Sequence, residues 1–551
     1  MIKNIAILKS VLNQVKVKNK DFIFLITLVS LLTACEIISL GVLIPFVSTV
    51  FKVENNFLNY LQIFNNDKNK IFIFLLSILV IFLILKTIFA LYTRWSICTF
   101  SFSQYANIQR KLLYNYQNMN FENFIQRNSS DYVTNIRELS AHTVSFIEAI
   151  IKILAEIIVV TFIFSFLLFL NYKILLYVFL IFIPIILFYK YFLAPINSKL
   201  GHKRNQAIKN TFKEVASCID GIKEIKILKK GEFFLDNLLK NALIIKEVQQ
   251  KTVLINESPR YVFELFLLIF GTISIYFLSL SHKNLISFIP TLSVYLLAGI
   301  RLLPSISFIV SNINRAAELL PSTEKINADL KNLQVKKNIS LNDENNSIPK
   351  GNNLKEINSI SMKNVSFSYD NSKKIIFENI DFIIKKNDCI GVIGKSGSGK
   401  TTFVDILLGL LKPKEGELII NEKLFPNNEF LLFGNIAYLP QNPVILDESI
   451  KTNVTLEINE EKINSNELSK SISNANLEDF IKELPKNLDT LIGENGVRLS
   501  VGQNKRLALA RTFYHKKNFI IMDEATSSQD NFNQDLIAEQ IKKIKGKFTI
   551  L

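Results

Sequence analysis

The sequence predicts a chain in two parts, a polytopic α-helical membrane domain followed by a soluble α/β domain. Hydrophobic residues make up 49% of the 551 residues, and the mean hydropathy of +0.25 is high for a soluble protein. The long apolar runs lie almost entirely within 1–315, whereas 320–551 has the mixed composition of a soluble domain. A chain of this length also exceeds one ordinary domain.

The first part contains six apolar stretches long enough to cross a bilayer, which takes a helix of about twenty residues. The first stretch follows a lysine-rich start and has no small-residue cleavage site, so it predicts a retained membrane helix rather than a signal peptide. We place the membrane domain at 1–326, with spans at about 22–51, 71–95, 144–171, 173–194, 256–281 and 286–312.

The connections between the spans predict the orientation. Segments 96–143 and 194–255 are long and, together with the N-terminus, rich in the Lys and Arg that mark the cytoplasmic side. Their apolar residues recur at helical spacing, so each segment is expected to extend two membrane helices by roughly 30 Å. We expect elbows near 120–130 and 221–234, and place the N-terminus and the second domain in the cytoplasm.

The net charge of +16 has two readings. A basic soluble protein would suggest nucleic-acid binding. In a membrane protein, lysines serve orientation and contact anionic lipid headgroups, so we expect membrane lipids and no nucleic acid as partners. The four cysteines and four histidines are scattered, and neither a disulfide nor a zinc site is expected.

Ionisable residues interrupt the predicted spans at Glu36, Lys86, Arg260 and Arg301. Such residues usually face a bundle interior or a wet cavity. One interpretation is that Lys86, Arg260 and Arg301 form a cationic lining for an anionic substrate. The alternatives are a structural ion pair, Glu36 with Lys86 or Arg260 with Glu264, or snorkelling towards the membrane interface.

A polar, Asn-rich linker at 327–358 separates the two domains, and the second domain occupies 359–551. It contains an apolar strand that is expected to end at Ile393, then a match to G-x-x-x-x-G-K-[ST], then an amphipathic helix. In such a loop, backbone N–H groups face phosphate oxygens, Lys400 bridges the β- and γ-phosphates of ATP, and Thr401 ligates Mg²⁺. The ATP-binding residues predicted from this motif are Gly394, Lys395, Ser396, Gly397, Ser398, Gly399, Lys400, Thr401 and Thr402.

A second acidic motif follows in "FIIMDEATSSQD", where an apolar strand precedes two acids. Asp523 is predicted to hold Mg²⁺, and Glu524 to be the catalytic base or the residue that positions the attacking water. A strand followed by Asp-Glu is a weak signal by itself. Here it follows a phosphate loop, with "LSVGQ" between the two motifs, which makes the combination specific.

These motifs resemble those of an ABC exporter half-transporter over nearly the whole chain. The resemblance implies six transmembrane helices with long cytoplasmic extensions, followed by an α/β P-loop ABC ATPase domain. It also implies that Tyr369 stacks on adenine and that Gln441 is a catalytic residue that senses Mg²⁺. "GENG" at 493–496 is similar to the loop that contacts the membrane arms, and 527–530 to the D-loop.

The resemblance further implies a site shared between two chains. Ser500, Val501, Gly502 and Gln503 match the signature that closes over the γ-phosphate of ATP held by the other subunit. The third signature position is usually glycine, but its contacts survive a valine if φ is negative there. A homodimer is therefore implied, or a heterodimer with a related half-transporter.

Several membrane stretches, such as "CEIISLGVLIPF" and "AGIRLLPS", resemble bacterial flippases for lipid-linked oligosaccharides. The resulting prediction is ATP-driven flipping of a polyprenyl-diphosphate oligosaccharide across the bacterial inner membrane. One alternative is an exporter of another lipid, a drug or a peptide. The other, motivated by Val501 and Gln529, is an ATP-binding partner subunit that does not hydrolyse ATP. The sequence stops at "GKFTIL", before the family's histidine, so the ATPase domain is expected to be incomplete at its C-terminus.

Overall fold

The structure is a computed structural model in which contacts divide the chain into two compact units, Met1–Met119 with Arg127–Asn338, and Asn120–Gln126 with Ile339–Leu551. In some helices only the backbone is described, and this applies to Glu36 and Arg301. The described residues are 2–15, 19–50, 68–170, 184, 187–280, 285–332, 357–369, 375–395, 397–424, 435–493, 497–523, 542 and 544–551.

The described part of the first unit is α-helical. Two π-helical turns, Asn135–Leu139 and Tyr189–Leu193, precede the helices that start at Ser140 and Ala194. The helices in this half of the chain are α1 Ile2–Val15, α2 Asn19–Val50, α3 Lys68–Gln117, α4 Phe121–Ile125, α5 Ser129–Thr134, α6 Ser140–Leu170, α7 Ala194–Asp220, α8 Ile222–Leu228, α9 Gly231–Leu280 and α10 Leu285–Asn332.

Five of the six predicted spans lie on α2, α3, α6, α9 and α10, and the fourth, 173–194, falls mostly outside the described residues. The 50 residues of α3 reach about 75 Å, far more than a bilayer core needs. Within the described residues one helical segment, Leu76–Gln117, is long and apolar enough to cross a membrane; its most apolar window has a mean hydropathy of 2.3 and is 6% buried. An apolar helix surface left this exposed is favourable in lipid and unfavourable in water.

Four hydroxyl groups on α3 and α6 are satisfied by the helix that carries them. Each donates a hydrogen bond to a carbonyl oxygen three or four residues earlier, which removes the need for water. The bonds are Thr87 Oγ1 to Ile84 O at 2.7 Å, Thr93 Oγ1 to Phe89 O at 2.9 Å, Thr161 Oγ1 to Ile157 O at 2.7 Å and Ser165 Oγ to Thr161 O at 2.9 Å. This pattern favours a membrane environment for α3 and α6.

Helices end in both segments where elbows are predicted. After α3 ends at Gln117, the short helix α4 occupies the first segment, and α8 occupies the second. α8 ends at Leu228, and Lys229 after it has a left-handed φ of 53°. The contacts assign α4 to the second unit, where Phe121 packs against the apolar cluster that contains Phe367 and Phe403.

Buried polar groups join the C-terminal part of α10 to other helices of the first unit. The carboxylate of Asp329, near the end of α10, accepts hydrogen bonds from Tyr116 Oη at 2.7 Å, Arg127 NH1 at 3.0 Å and Asn135 Nδ2 at 3.0 Å. A second buried ion pair joins Arg204 on α7 to Glu318 on α10. Because a buried charge is costly without such partners, both pairs fix the register of α10.

The described part of the second unit contains two sheets. The antiparallel sheet has the order β2-β1-β3-β4, and the parallel sheet has the order β5-β6-β7. Apolar residues of β1 and α11 share one core cluster with β6, and α12, α13 and α15 form a second cluster on the other side of β6. The elements are β1 Ser359–Phe367, β2 Phe377–Lys385, α11 Lys400–Leu407, β3 Glu415–Ile420, β4 Lys423–Leu424, β5 Ile436–Leu439, α12 Ile450–Thr455, α13 Ser465–Asn474, α14 Glu478–Lys482, α15 Val501–Tyr514, β6 Phe519–Met522 and β7 Thr549–Ile550.

The prediction of an apolar strand that ends at Ile393 is wrong in the length of the strand. Only Cys389 forms a bridge, to Ile550 of β7, flanked by hydrogen bonds of Ile390 N to Ile550 O and Ile550 N to Asp388 O. A strand needs a neighbour to complete its ladder, and Cys389 is the residue of this segment that pairs with β7. The segment from Gly391 to Lys395 therefore runs as an irregular loop into the glycine-rich motif.

Candidate nucleotide-binding site

The glycine-rich loop before α11 has the backbone conformation that its glycines permit. Gly397 and Gly399 have φ of 76° and 94°, which side chains rarely tolerate. A Cβ on Gly399 would lie 2.6 Å from Ile376 Cγ2, and one on Gly394 would lie 2.7 Å from Ser398 Oγ. The loop therefore forms a narrow cradle that larger residues would fill.

Lys400 turns its ammonium group back over this cradle. Its Nζ donates hydrogen bonds to Gly394 O at 2.9 Å and to Lys395 O at 3.1 Å. Both acceptors belong to the loop itself, so the positive charge lies over the opening of the loop. With the N-terminus of α11 starting at the same residue, the cradle fits a polyphosphate.

Tyr369 lies beside the first turn of α11. Its hydroxyl is 3.1 Å from Thr402 Oγ1, and its ring meets Phe367 edge-on at a centroid distance of 5.1 Å. The structure thus brings together the predicted adenine-stacking residue and the predicted phosphate loop.

Asp523 follows directly after β6 and is fixed by backbone pairing. Its N–H donates to Leu439 O at 2.9 Å, and its Oδ2 accepts from Tyr438 Oη at 3.3 Å. The pKa of Tyr438 is raised to about 12, first by burial and then by the charges of Asp523 and Asp405. Burial, followed by the Asp523 charge, raises the pKa of Asp405 to about 6.

Sequence reasoning missed both Asp405 and Tyr438. Asp405 could have been found, because it lies four residues after Thr401 and so on the same helix face. Tyr438 could not, because its approach to Asp523 depends on the parallel register of β5 and β6, which pairs it with Ile521.

The signature stretch begins a well-capped helix. Ser500 is the N-cap of α15: its Oγ accepts from Gln503 N at 3.2 Å, and Gln503 Oε1 accepts from Ser500 N at 2.7 Å. Val501 is the first helical residue and 55% exposed, and it is not among the residues with positive φ. The condition for tolerating valine is therefore met, and Gly502 lies buried in the next position.

Arg511, further along α15, attaches this helix to the segment that follows Gln441. Its Nε donates to Asn453 O at 2.8 Å and its NH2 to Val444 O at 3.2 Å. The fully buried Asn453 side chain in turn accepts from Leu446 N at 2.9 Å and donates to Leu446 O at 2.9 Å. Burial lowers the pKa of Arg511. Sequence reasoning did not identify this connection.

The remaining predicted site residues are placed as follows. Thr401 is exposed in the first turn of α11, and Gln441 is exposed just after β5. Among the described residues, no hydrogen bond joins Ser500 or Gln503 to the phosphate loop. Outside the described residues lie Ser396, Glu524, 494–496 and 527–530.

The three predicted substrate residues lie on three helices. Lys86 is half-buried on α3, Arg260 is exposed on α9 beside Pro259, and Arg301 lies on α10 with its side chain outside the described part. Arg260 and Glu264 are both described, and no ion pair joins them. The pair that was an alternative explanation for Arg260 is thus absent.

Comparisons with known proteins find matches to the second domain. Residues 377–527 match the family model described as "ABC transporter". A "Probable ABC transporter ATP-binding/permease protein" of Haemophilus influenzae is 33% identical over 199 residues, and the "Multidrug resistance-like ATP-binding protein MdlB" of Buchnera aphidicola is 31% identical over 204 residues. Each match covers 36% of this chain and 35% of the relative, so about a third of the relatives' length is spanned.

A solved structure of a bacterial Atm1-family ABC exporter with ATP bound is similar over 97% of this chain and 90% of its own, with a TM-score of 0.76 and 16% sequence identity. That likeness shows the fold. The chain has the fold of an ABC exporter, with a helical N-terminal domain and a C-terminal ABC ATP-binding domain.

Proposed function

We propose that this chain is one half of an ATP-driven exporter that works as a dimer in the bacterial inner membrane. The observation that carries the proposal is the phosphate cradle, in which Gly397 and Gly399 take left-handed φ and Lys400 lies over the opening. The capped signature helix α15 and the exposed apolar surface of α3 support it.

The chemistry assigned to the site is hydrolysis of the γ-phosphate of ATP. Magnesium would supply charge neutralisation of the phosphates, held by the Thr401 hydroxyl, Asp523 and Gln441. Hard oxygen ligands from a hydroxyl and a carboxylate suit this ion. Lys400 binds and orients the phosphates, and Glu524 is proposed as the base or the residue that positions water.

ATP turnover by the purified full chain in lipid nanodiscs tests the proposal. Lys400→Ala is expected to abolish nucleotide binding, and Glu524→Gln to stop turnover while nucleotide still binds. Turnover that persists in Glu524→Gln would refute the role of that residue. A wild-type chain that binds ATP without hydrolysing it would favour the second candidate, a non-hydrolysing partner subunit.

For the substrate, we propose an anionic lipid-linked glycan on a polyprenyl diphosphate. Cationic side chains on three different helices, Lys86, Arg260 and Arg301, suit a diphosphate, and Arg260 has no ion pair with Glu264. Another lipid, a drug or a peptide stays the alternative cargo, and the Buchnera aphidicola relative is named as multidrug resistance-like.

Reconstituted vesicles decide between the cargoes. We expect ATP-dependent movement of a fluorescent polyprenyl-diphosphate glycan across the bilayer, and loss of that movement when Lys86, Arg260 and Arg301 are all replaced by Gln. Transport that survives the triple replacement contradicts the cationic lining. Stimulation of ATPase activity by neutral drugs, with none by the glycolipid, would support the alternative.

A further inference from the structure

Tyr438 and Asp405 surround the acidic end of the site. Tyr438 lies on β5, and the parallel register places Leu439 opposite Met522, the last residue of β6. The hydrogen bond from Asp523 N to Leu439 O, at 2.9 Å, extends this ladder by one residue. The position of the tyrosine relative to Asp523 is therefore set by the sheet rather than by a mobile loop.

The phenol makes a directed contact with the carboxylate. Tyr438 Oη donates to Asp523 Oδ2 at 3.3 Å. A donor on one carboxylate oxygen restrains the rotation of the group and leaves Oδ1 available to an ion. Carboxylates that ligate metals generally have such a second hydrogen-bond partner, and its loss typically weakens metal binding by about tenfold or more.

The charges around Asp523 make this contact important. Asp405 lies on the same face of α11 as Thr401, and its charge interacts unfavourably with that of Asp523. A tyrosine hydroxyl is protonated at neutral pH, so Tyr438 is a hydrogen-bond donor there.

We propose that Tyr438 is a positioning residue for magnesium: its hydroxyl holds the Asp523 carboxylate in the orientation that presents one oxygen to the Mg²⁺ of bound Mg·ATP. The proposal rests on the function proposed above. Because Tyr438 precedes Gln441 by three residues, the same strand end carries both the residue that orients Asp523 and the predicted Mg²⁺-sensing glutamine.

The test uses Tyr438→Phe in the full chain, with Mn²⁺ as a paramagnetic probe and a non-hydrolysable ATP analogue. Free Mn²⁺ is measured by electron paramagnetic resonance in the presence of the analogue, and analogue binding is measured separately in EDTA. We expect Mn²⁺ to bind about tenfold more weakly, the lower end of the range for such partners, with analogue binding in EDTA unchanged.

Tyr514→Phe is the matched control, since its hydroxyl accepts a hydrogen bond from Asn464 N at 3.1 Å and contacts no predicted site residue. It should behave as the wild type. Unchanged Mn²⁺ affinity in Tyr438→Phe overturns the proposal, and so does an equal loss of analogue binding in EDTA, which would show a general structural effect. Failure of the proposed function itself looks different: the wild type would then bind no analogue in EDTA.

Discussion

Val501 begins α15 with its side chain 55% exposed, and the helix N-terminus beneath it is intact. The reciprocal bonds between Ser500 and Gln503 satisfy two N–H groups that otherwise lack intrahelical partners. A β-branched residue at the first helical position clashes with no preceding turn, because none exists there. The departure from the usual glycine is therefore compatible with a working signature.

Val501→Gly should change the rate of ATP hydrolysis by less than about twofold, because the cap and the negative φ are unaffected and glycine costs at most about 1 kcal/mol of helix stability. Ser500→Ala should lower the rate by about ten- to a hundredfold, since a bond to a charged phosphate contributes about 1.5–3 kcal/mol. Steady-state hydrolysis by the full chain measures both. A large effect of Val501→Gly, in either direction, would contradict this view of the signature.

Asp405 is the residue whose ionisation opposes folding most clearly in the second unit. Its folded pKa, about 6, lies above the ordinary value of 3.8. The unfolded chain therefore releases this proton at a lower pH than the folded chain does. The resulting destabilisation is complete above pH 6 and fades as the pH falls from about 6 to about 4.

Asp405→Asn should accordingly raise the melting temperature of the full chain in EDTA at pH 7.5, by about 2–5 °C after allowance for partial solvent exposure. The gain should shrink at pH 5, where the folded wild type is already mostly protonated. The melting temperatures of both proteins, followed at the two pH values with an extrinsic fluorescent dye, check this prediction. An equal gain at both would show that packing, rather than charge, is responsible.

At the scale of elements, α7 and α10 approach each other closely at Gly201. A Cβ on Gly201 would overlap Glu318 O, a backbone atom that cannot move without its helix. The buried pair of Arg204 and Glu318 lies one turn away. Gly201 allows the two helices to pack at a short separation, and the ion pair fixes their register.

Gly201→Ala should destabilise the chain by about 1–3 kcal/mol, although alanine in place of glycine normally stabilises a helix by about 1 kcal/mol. The reversal of sign is the diagnostic result. Gly231→Ala is the control, because nothing lies within 4 Å of the added Cβ. Both variants are heated in steps, and the height of the monodisperse peak in size-exclusion chromatography is measured after each step. Equal loss of this peak in the two variants would disprove close packing at Gly201.

At the scale of the whole molecule, one chain carries a phosphate loop and a signature helix that share no hydrogen bond within the described residues. In the proposed dimer, the signature of each chain closes over the phosphate loop of the other.

Mixed dimers test this arrangement. Chains with Lys400→Ala and chains with Ser500→Ala should each fail to trap nucleotide with vanadate as homodimers. A dimer of one chain of each kind contains one site with both residues intact, so it should trap about one nucleotide, as expected for a transition-state complex that needs both groups. Trapping by differently tagged, co-purified chains provides the measurement, and no trapping in the mixed dimer would exclude a shared site.

The sequence by itself determined the helical first half and the elbows, and it located the phosphate loop and the signature as motifs. These follow from hydropathy over long windows and from motifs whose residues are neighbours in the chain, so local chemistry suffices. The extent of the strand before Gly394 could not be predicted, because strand length depends on pairing with β7, which is distant in sequence. Tertiary structure also decided the contacts of Tyr438 with Asp523, Arg511 with Asn453 and Gly201 with Glu318, since each joins elements that are distant in sequence and meet only through sheet register or helix packing.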